Sequence, residues 1–412
     1  MIRTPLLVLF SMSMIQAQVL FSINPEISQS TWMVPISIET NLNKSLVVKY
    51  SGQLFDTEHP NDNYIWYSYH RNGKTYVNTI SYIEYSNGAL SAVFGRQYNP
   101  VGYGKMSGLF ISPAASSLDQ TTFSLEDFHG FNYRHSIIRL DNRFKEVNGE
   151  KNVVNRWYYL NQIGYNYKNI IEINFTDAVI ATGYNRGLEW YYANPLVSLF
   201  MERKHELHRQ EGQDSTSVIG IGDNDNHFVG GDWIVHYKQW DLYGEWLIDE
   251  WQLSDHYRDN MQTVFGVMTG AGYNSDKYKI AIEYSYASPW LYLNRALYGG
   301  VEKHYQPLGL RVPQSHSLDI SFDCSLTEKK SVSFQTHLEE RGNQTLTSVW
   351  DAWDNNIEQY VFSQIMPTEW KIIYNDIDNK YFNNITLYHH WLSTSETYIV
   401  FSKHWNIQFN SD

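Results

Sequence analysis

The stretch GEWLIDEWQ (residues 244–252) sets Glu245, Asp249 and Glu250 among two tryptophans. Two carboxylates can share general acid and base work on a glycosidic bond when they stand about 5 to 9.5 Å apart. On a β-strand, Glu245 and Asp249 would lie about 13 Å apart, at roughly 3.3 Å per residue. Asp249 and Glu250 would point to opposite faces. A catalytic pair would therefore need a partner from another strand. A wall between two environments fits better: Glu245 and Asp249 toward a polar lumen, Trp246 and Ile248 toward lipid, and Glu250 near a rim.

Other reactive groupings are sparse. No Gly-x-Ser-x-Gly elbow occurs, and Cys324 falls on the apolar face of an alternating segment, where a thiol serves as a small hydrophobe. HELH (residues 205–208) spaces two histidines at i, i+3 without a further ligand downstream. DNDNH (residues 223–227) lacks the later Gly and Glu of a calcium loop. No catalytic residue, metal or cofactor is expected.

The elements that would position these groups are strands. SLVVKYSGQL, KIAIEYSYA, HSLDISFDCSL and SVSFQTHLE each alternate apolar and polar residues with a period of two. RNGK, SNG, YNSDK and NDIDNK punctuate them as turns. The chain closes on ETYIVFSKHWNIQF, another amphipathic strand with an aromatic near its end. Aromatic residues make up 16% of the 412, including 32 Tyr and 14 Trp, which suits sheets, membrane-interface girdles and sugar-stacking surfaces. The net charge of −13 argues against a nucleic-acid partner. The single Cys excludes an internal disulfide.

Residues 1–17 read as a secretory signal: Arg3, the apolar core PLLVLFSMSMI, and a cut after Ala17. Residues 18–412 then form one domain. The expected fold is all-β, a transmembrane antiparallel β-barrel of about 16 to 18 strands. Residues 194–210 are expected as a short helix and residues 348–366 as a second helix or a loop, either of which could cap or plug the lumen. RWYYLNQ (156–162), LEWYYANPL (188–196) and SPWLYLNRALYGG (288–300) mix the amides, carboxylates and aromatic rings that suit sugars.

The order of motifs resembles the Wzi-like capsule assembly family. The matching pieces are FGRQYNPVGYGKMSGLFISPAASSLDQ (94–120), FNYRHSIIRLDNR (131–143), NRWYYLNQIGY (155–165), GLEWYYANPL (187–196), DNDNHFVGGDW (223–233), LYGEWLIDEWQ (242–252) and YQPLGLRVPQSHSLDIS (305–321). The resemblance implies an outer-membrane barrel of about 18 strands that acts as a lectin without catalysis. Its expected partners are capsular or exopolysaccharide and outer-membrane lipid, with the chain a monomer. The residues expected to bind polysaccharide are Arg96, Tyr103, Asp119, Asp141, Arg143, Tyr158, Glu189, Asn194, Asp232, Glu245, Asp249 and Glu250. Arg96, Arg139 and Arg143 could supply positive charge for an acidic glycan, or could pair with lumen carboxylates. Two other functions stay open: a porin or solute channel, and a glycan-cleaving or lipid-modifying enzyme with a carboxylate pair on the barrel wall.

Overall fold

The computed structural model describes residues 19–23, 26–27, 32–43, 45–55, 68–71, 74–147, 150–184, 186–199, 225–250, 263–293, 302–303, 306–310, 313–342, 364–376, 384–391, 395–402 and 405–409. The signal expectation for residues 1–17 lies outside them. Among the described residues the architecture is one antiparallel sheet of 22 strand segments, with a two-stranded ribbon beside it. Many strands run 10 to 14 residues and Glu150–Tyr167 runs 18, more than the roughly 9 to 11 that span a bilayer. The first segment, Val19–Ile23, pairs with both Trp32–Asn43 and Trp405–Phe409, with Val19 opposite Phe409. Glu26–Ile27 likewise pairs with Trp32–Asn43 and Ser395–Ser402.

Connections alternate in length. Short turns join Phe131–Arg139 to its predecessor, Glu150–Tyr167 to Ile171–Tyr184, Asn226–Tyr237 to Trp240–Glu250, and Val264–Asn274 to Tyr278–Ala287. Long connections leave the opposite ends of these strands. Outer-membrane barrels show the same asymmetry between their two rims.

The two faces of the sheet differ as the alternation predicts. On Trp240–Glu250, Tyr243, Glu245, Leu247 and Asp249 are buried, whereas Leu242 and Trp246 are exposed. On neighbouring strands Ile163, Ile173, Phe175, Trp233, Val267 and Ile282 are exposed on the outer face. Phe131, Tyr165, Tyr167, Tyr237, Trp240 and Tyr278 gather beside the short turns, where an interfacial girdle would sit. One local feature escapes the simple period. Ile248 pairs with Phe265 and Glu250 with Val264, so Asp249 is the extra residue of a β-bulge.

The expectation of helices in the lumen is corrected. Residues 194–198 run as turns and bends, and no complete helix lies among the described residues. Residues 200–210 and 348–363 lie outside them. What fills the interior is irregular backbone, residues 98–117, between the strands Leu90–Gln97 and Leu118–Phe128. Val101, Leu109, Phe110 and Ile111 of this segment are buried against Tyr158, Leu160, Ile180, Phe228, Tyr243 and Leu247 of the sheet. Burial of each large side chain contributes about 1.5 to 3 kcal/mol. The Val101 amide donates to the Ile111 carbonyl at 2.9 Å, folding the segment back on itself. We call it the plug.

Candidate functional site

Irregular backbone inside a sheet leaves amides that need acceptors. Two buried carboxylates on the sheet supply them. Glu245 accepts the amides of Gly104 at 3.0 Å and Leu109 at 2.7 Å. Glu283 accepts the amides of Lys105, Met106 (3.0 Å) and Ser107 (2.8 Å), together with the hydroxyls of Ser107 (3.0 Å) and Tyr243 (2.8 Å). Each carboxylate is thereby satisfied in a setting where an unbonded charge would be costly. At Gly102, φ is +105° and an added Cβ would sit 2.2 Å from Glu245 Oε1, so the close approach requires glycine. Lys105 reaches Asp241 at 3.1 Å.

A second buried segment locks the first. Asp249 accepts the Tyr292 amide at 2.6 Å. The Tyr292 hydroxyl donates to the Leu109 carbonyl at 2.7 Å and accepts from the Leu310 amide at 3.2 Å. Ser112 donates its amide to the Leu308 carbonyl at 2.6 Å.

Two cavities flank the plug. One, about 530 Å³, lies toward the short turns. Its lining includes Asn99, Tyr103, Glu126, Asn132, Arg134, Gln162, Glu172, Asn174 and Asp232. Asp232 accepts from Asn174 at 2.7 Å and Gln162 at 2.8 Å, and Asn174 also donates to the Tyr103 hydroxyl at 3.1 Å. The other, about 500 Å³, lies between the plug and the long-connection ends of Ser315–Thr327 and Lys330–Arg341. Tyr98, Ser112, Ser116, Ser315, Ser317, Asp319, His337, Glu339 and Arg341 line it. His337 contacts Asp319 at 2.6 Å, and Arg341 pairs with Glu339.

The sequence-predicted residues divide among several environments. Glu245 and Asp249 hold the plug and its neighbour, and Tyr103 and Asp232 stand at the short-turn cavity. Arg96 grips Asp119 through two bonds, at 2.7 and 2.9 Å. Asp141 pairs with Arg143 at 2.9 Å and Arg156 at 2.8 Å, all three buried. Tyr158 is wholly buried. Arg139 stacks over Trp157 at 4.6 Å and bonds Asn155. Glu250 ends its strand. Glu189 and Asn194 belong to residues 186–199, which pack against Tyr159, Val179 and Ala181 on the outer face and leave the lumen to the plug. Of the three arginines expected to meet an acidic glycan or to pair with lumen carboxylates, Arg96 and Arg143 are thus engaged with Asp119 and Asp141, and Arg139 with Trp157 and Asn155.

Sequence reasoning passed over Glu283, Asp319, His337 and Arg341. One signal was present: Glu283 stands on a face otherwise made of Ala281, Ser285 and Ala287, as a buried acceptor among small residues would.

No known family model matches the chain, and no curated protein matches it. Solved structures do. Wzi, an outer membrane protein involved in group 1 capsule assembly in Escherichia coli and described as a carbohydrate-binding β-barrel, aligns over 96% of this chain and 85% of its own, at 10% identity and TM-score 0.58. OccD3 (OpdP) of Pseudomonas aeruginosa aligns over 95% and 91%, at 8% identity and TM-score 0.47. OprD of the same organism covers 96% and 94%, at 8% identity and TM-score 0.46. The likeness to the first places the fold with the outer-membrane β-barrels.

Proposed function

We propose that this chain is an outer-membrane barrel of about eighteen strands that binds capsular or exopolysaccharide at the cell surface, as a monomer and without catalysis. The count takes Val19–Ile23 with Glu26–Ile27, and Ser395–Ser402 with Trp405–Phe409, as single interrupted strands. It takes Ser68–Arg71 and Arg143–Val147 as extensions of neighbouring strands. The exposed apolar outer face faces lipid. The long connections face outward and the short turns face the periplasm, reached after export through residues 1–17.

One observation carries the binding reading over the channel. The interior is occupied by residues 98–117, fastened at their backbone by Glu245 and Glu283. The cavity on the long-connection side of that plug presents serine hydroxyls, Tyr98, His337 and the charged groups Asp319, Glu339 and Arg341. Hydroxyl-rich ligands exchange hydrogen bonds with such groups, and sugar C–H faces pack on an aromatic ring. Its volume is in the range of small-ligand pockets.

The test is binding of the detergent-purified protein to an array of acidic and neutral bacterial surface polysaccharides, beside conductance in planar bilayers. Glycan binding without steady conductance is the expected result. Steady conductance with no glycan bound would replace this reading with the solute channel.

A further inference from the structure

Residues 186–199 form a strap across the outer face of the sheet, and that position is itself informative. Along these strands, residues that pair share a face, and the outer face is apolar where it is uncovered: Ile163, Ile173 and Phe175 are exposed there. The next row toward the long connections breaks the pattern. His135, Asn161 and Asp177 lie opposite one another on that face, and all three are polar. Bare to hydrocarbon, they would lose their hydrogen bonds.

The strap bonds two of them directly and covers the third. Asn161 donates to the Val197 carbonyl at 3.0 Å, and Asp177 accepts from the Ser198 hydroxyl at 3.1 Å. His135 bonds Asn161 at 2.6 Å. One row lower, beside Ile163, Tyr133 donates to the Pro195 carbonyl. The upper end is fixed by Arg186, which holds Asp225 at 2.9 Å and Glu189 at 2.7 Å. With its polar backbone turned to the wall, the strap turns two large apolar side chains away from it. Trp190 is 80% exposed and Leu196 is 91% exposed.

Height along the barrel identifies what they meet. Phe175 and Asp177 lie four and six residues beyond Ile171, the start of their strand at the short-turn rim. At about 3.4 Å per residue and a tilt of about 40°, the rows that the strap binds stand roughly 10 to 16 Å above that rim. The apolar band of an outer-membrane barrel is about 25 Å tall.

We propose that residues 186–199 are a lipid-contacting strap that seats Leu196 among the acyl chains and Trp190 at the headgroup level of the outer leaflet. Its occupant is the lipid surface itself. The inference rests on the barrel reading and is independent of the polysaccharide. It also gives these polar residues their reason to be on this face: Asn161 and Asp177 dock the strap, and His135 holds Asn161.

The test uses the full chain carrying Cys324→Ser, with single cysteines at Leu196, Trp190, Ile163 or Asp276 labelled with an environment-sensitive fluorophore. The protein is folded into phosphatidylcholine vesicles with or without nitroxide-bearing acyl chains. Leu196→Cys is expected to emit as from an apolar medium. Nitroxide lipid should quench it at least twofold and aqueous iodide should leave it nearly unchanged, as at Ile163→Cys. Trp190→Cys should show weaker lipid quenching, and Asp276→Cys in a short turn should answer to iodide. A Leu196 label that emits as in water while Ile163 answers to lipid overturns the strap assignment. If that label then shifts on adding polysaccharide, the surface belongs to glycan. A water-like Ile163 label removes the membrane barrel itself.

Discussion

Tyr158 and Tyr159 follow one another on Glu150–Tyr167, point to opposite faces of the sheet, and are both wholly buried. Tyr158 packs in the cluster that contains the plug, and Tyr159 packs in the cluster that contains the strap. The wall is therefore covered on both sides at this height. The two hydroxyls differ in a way that can be measured. Tyr159 accepts the Glu189 amide at 3.1 Å, whereas the Tyr158 hydroxyl makes no hydrogen bond among the described residues. Tyr159→Phe should cost about 1 to 2 kcal/mol and loosen the strap, and Tyr158→Phe should stabilise by up to about 1 kcal/mol. Urea unfolding from vesicles reads both changes. A greater loss for Tyr158→Phe would contradict the assignment.

Glu245→Ala removes the acceptor of two buried amides, each bond to a charged group being worth about 1.5 to 3 kcal/mol. The plug should loosen. Protease cleavage within residues 98–117 should accelerate, and channel openings in planar bilayers should become more frequent than for the unaltered protein. Glu283→Ala should do the same through Lys105, Met106 and Ser107.

Gly102→Ala forces a Cβ against the Glu245 carboxylate and strains a left-handed backbone. Alone it should cost about 2 to 3 kcal/mol, adding an overpacking penalty to the strain. In a Glu245→Ala background part of that cost should vanish, because the clash is gone while the strain remains. A double-mutant cycle measures the coupling, and strict additivity would show that the two groups do not meet.

Affinity and stability should separate between two arginines. Arg143 is buried against Asp141, and its removal leaves a charge short of a partner; Arg143→Ala should cost about 3 to 5 kcal/mol with glycan affinity of the folded protein unchanged. Arg341 lines the long-connection cavity and is partly exposed. Arg341→Ala should weaken glycan binding about tenfold, some 1.4 kcal/mol, with a smaller loss of stability than Arg143→Ala, since Arg341 is partly exposed and Glu339 keeps His337 beside it. Titration of a bound polysaccharide against both variants decides the matter.

Local periodicity carries some of this structure and not the rest. The faces of Trp240–Glu250 follow from alternation alone, since a strand's side chains must alternate. The role of Glu245 does not follow, because its partners stand 136 and 141 residues away in the chain. The fold of segment 98–117 is hidden for the same reason: the amides of Gly104 to Ser107 and of Leu109 find their acceptors on distant strands. Residues 194–198 read as the start of a helix. Their carbonyls are instead taken by Tyr133 and Asn161, and Pro195 brings no amide of its own. The buried trio Asp141, Arg143 and Arg156 is indistinguishable in sequence from an exposed charged patch.

The manner in which the plug is fastened bears on how the protein is made. Its tethers come from Trp240–Glu250 and Tyr278–Ala287, which are synthesised long after residues 98–117. Until those strands are in place, the amides of Gly104 to Ser107 and of Leu109 lack their carboxylate acceptors. The plug can therefore be fastened only after the strands that carry Glu245 and Glu283 have joined the sheet. And because the tethers grip main-chain amides, replacing the Met106 side chain leaves these bonds in place, whereas replacing either glutamate removes them.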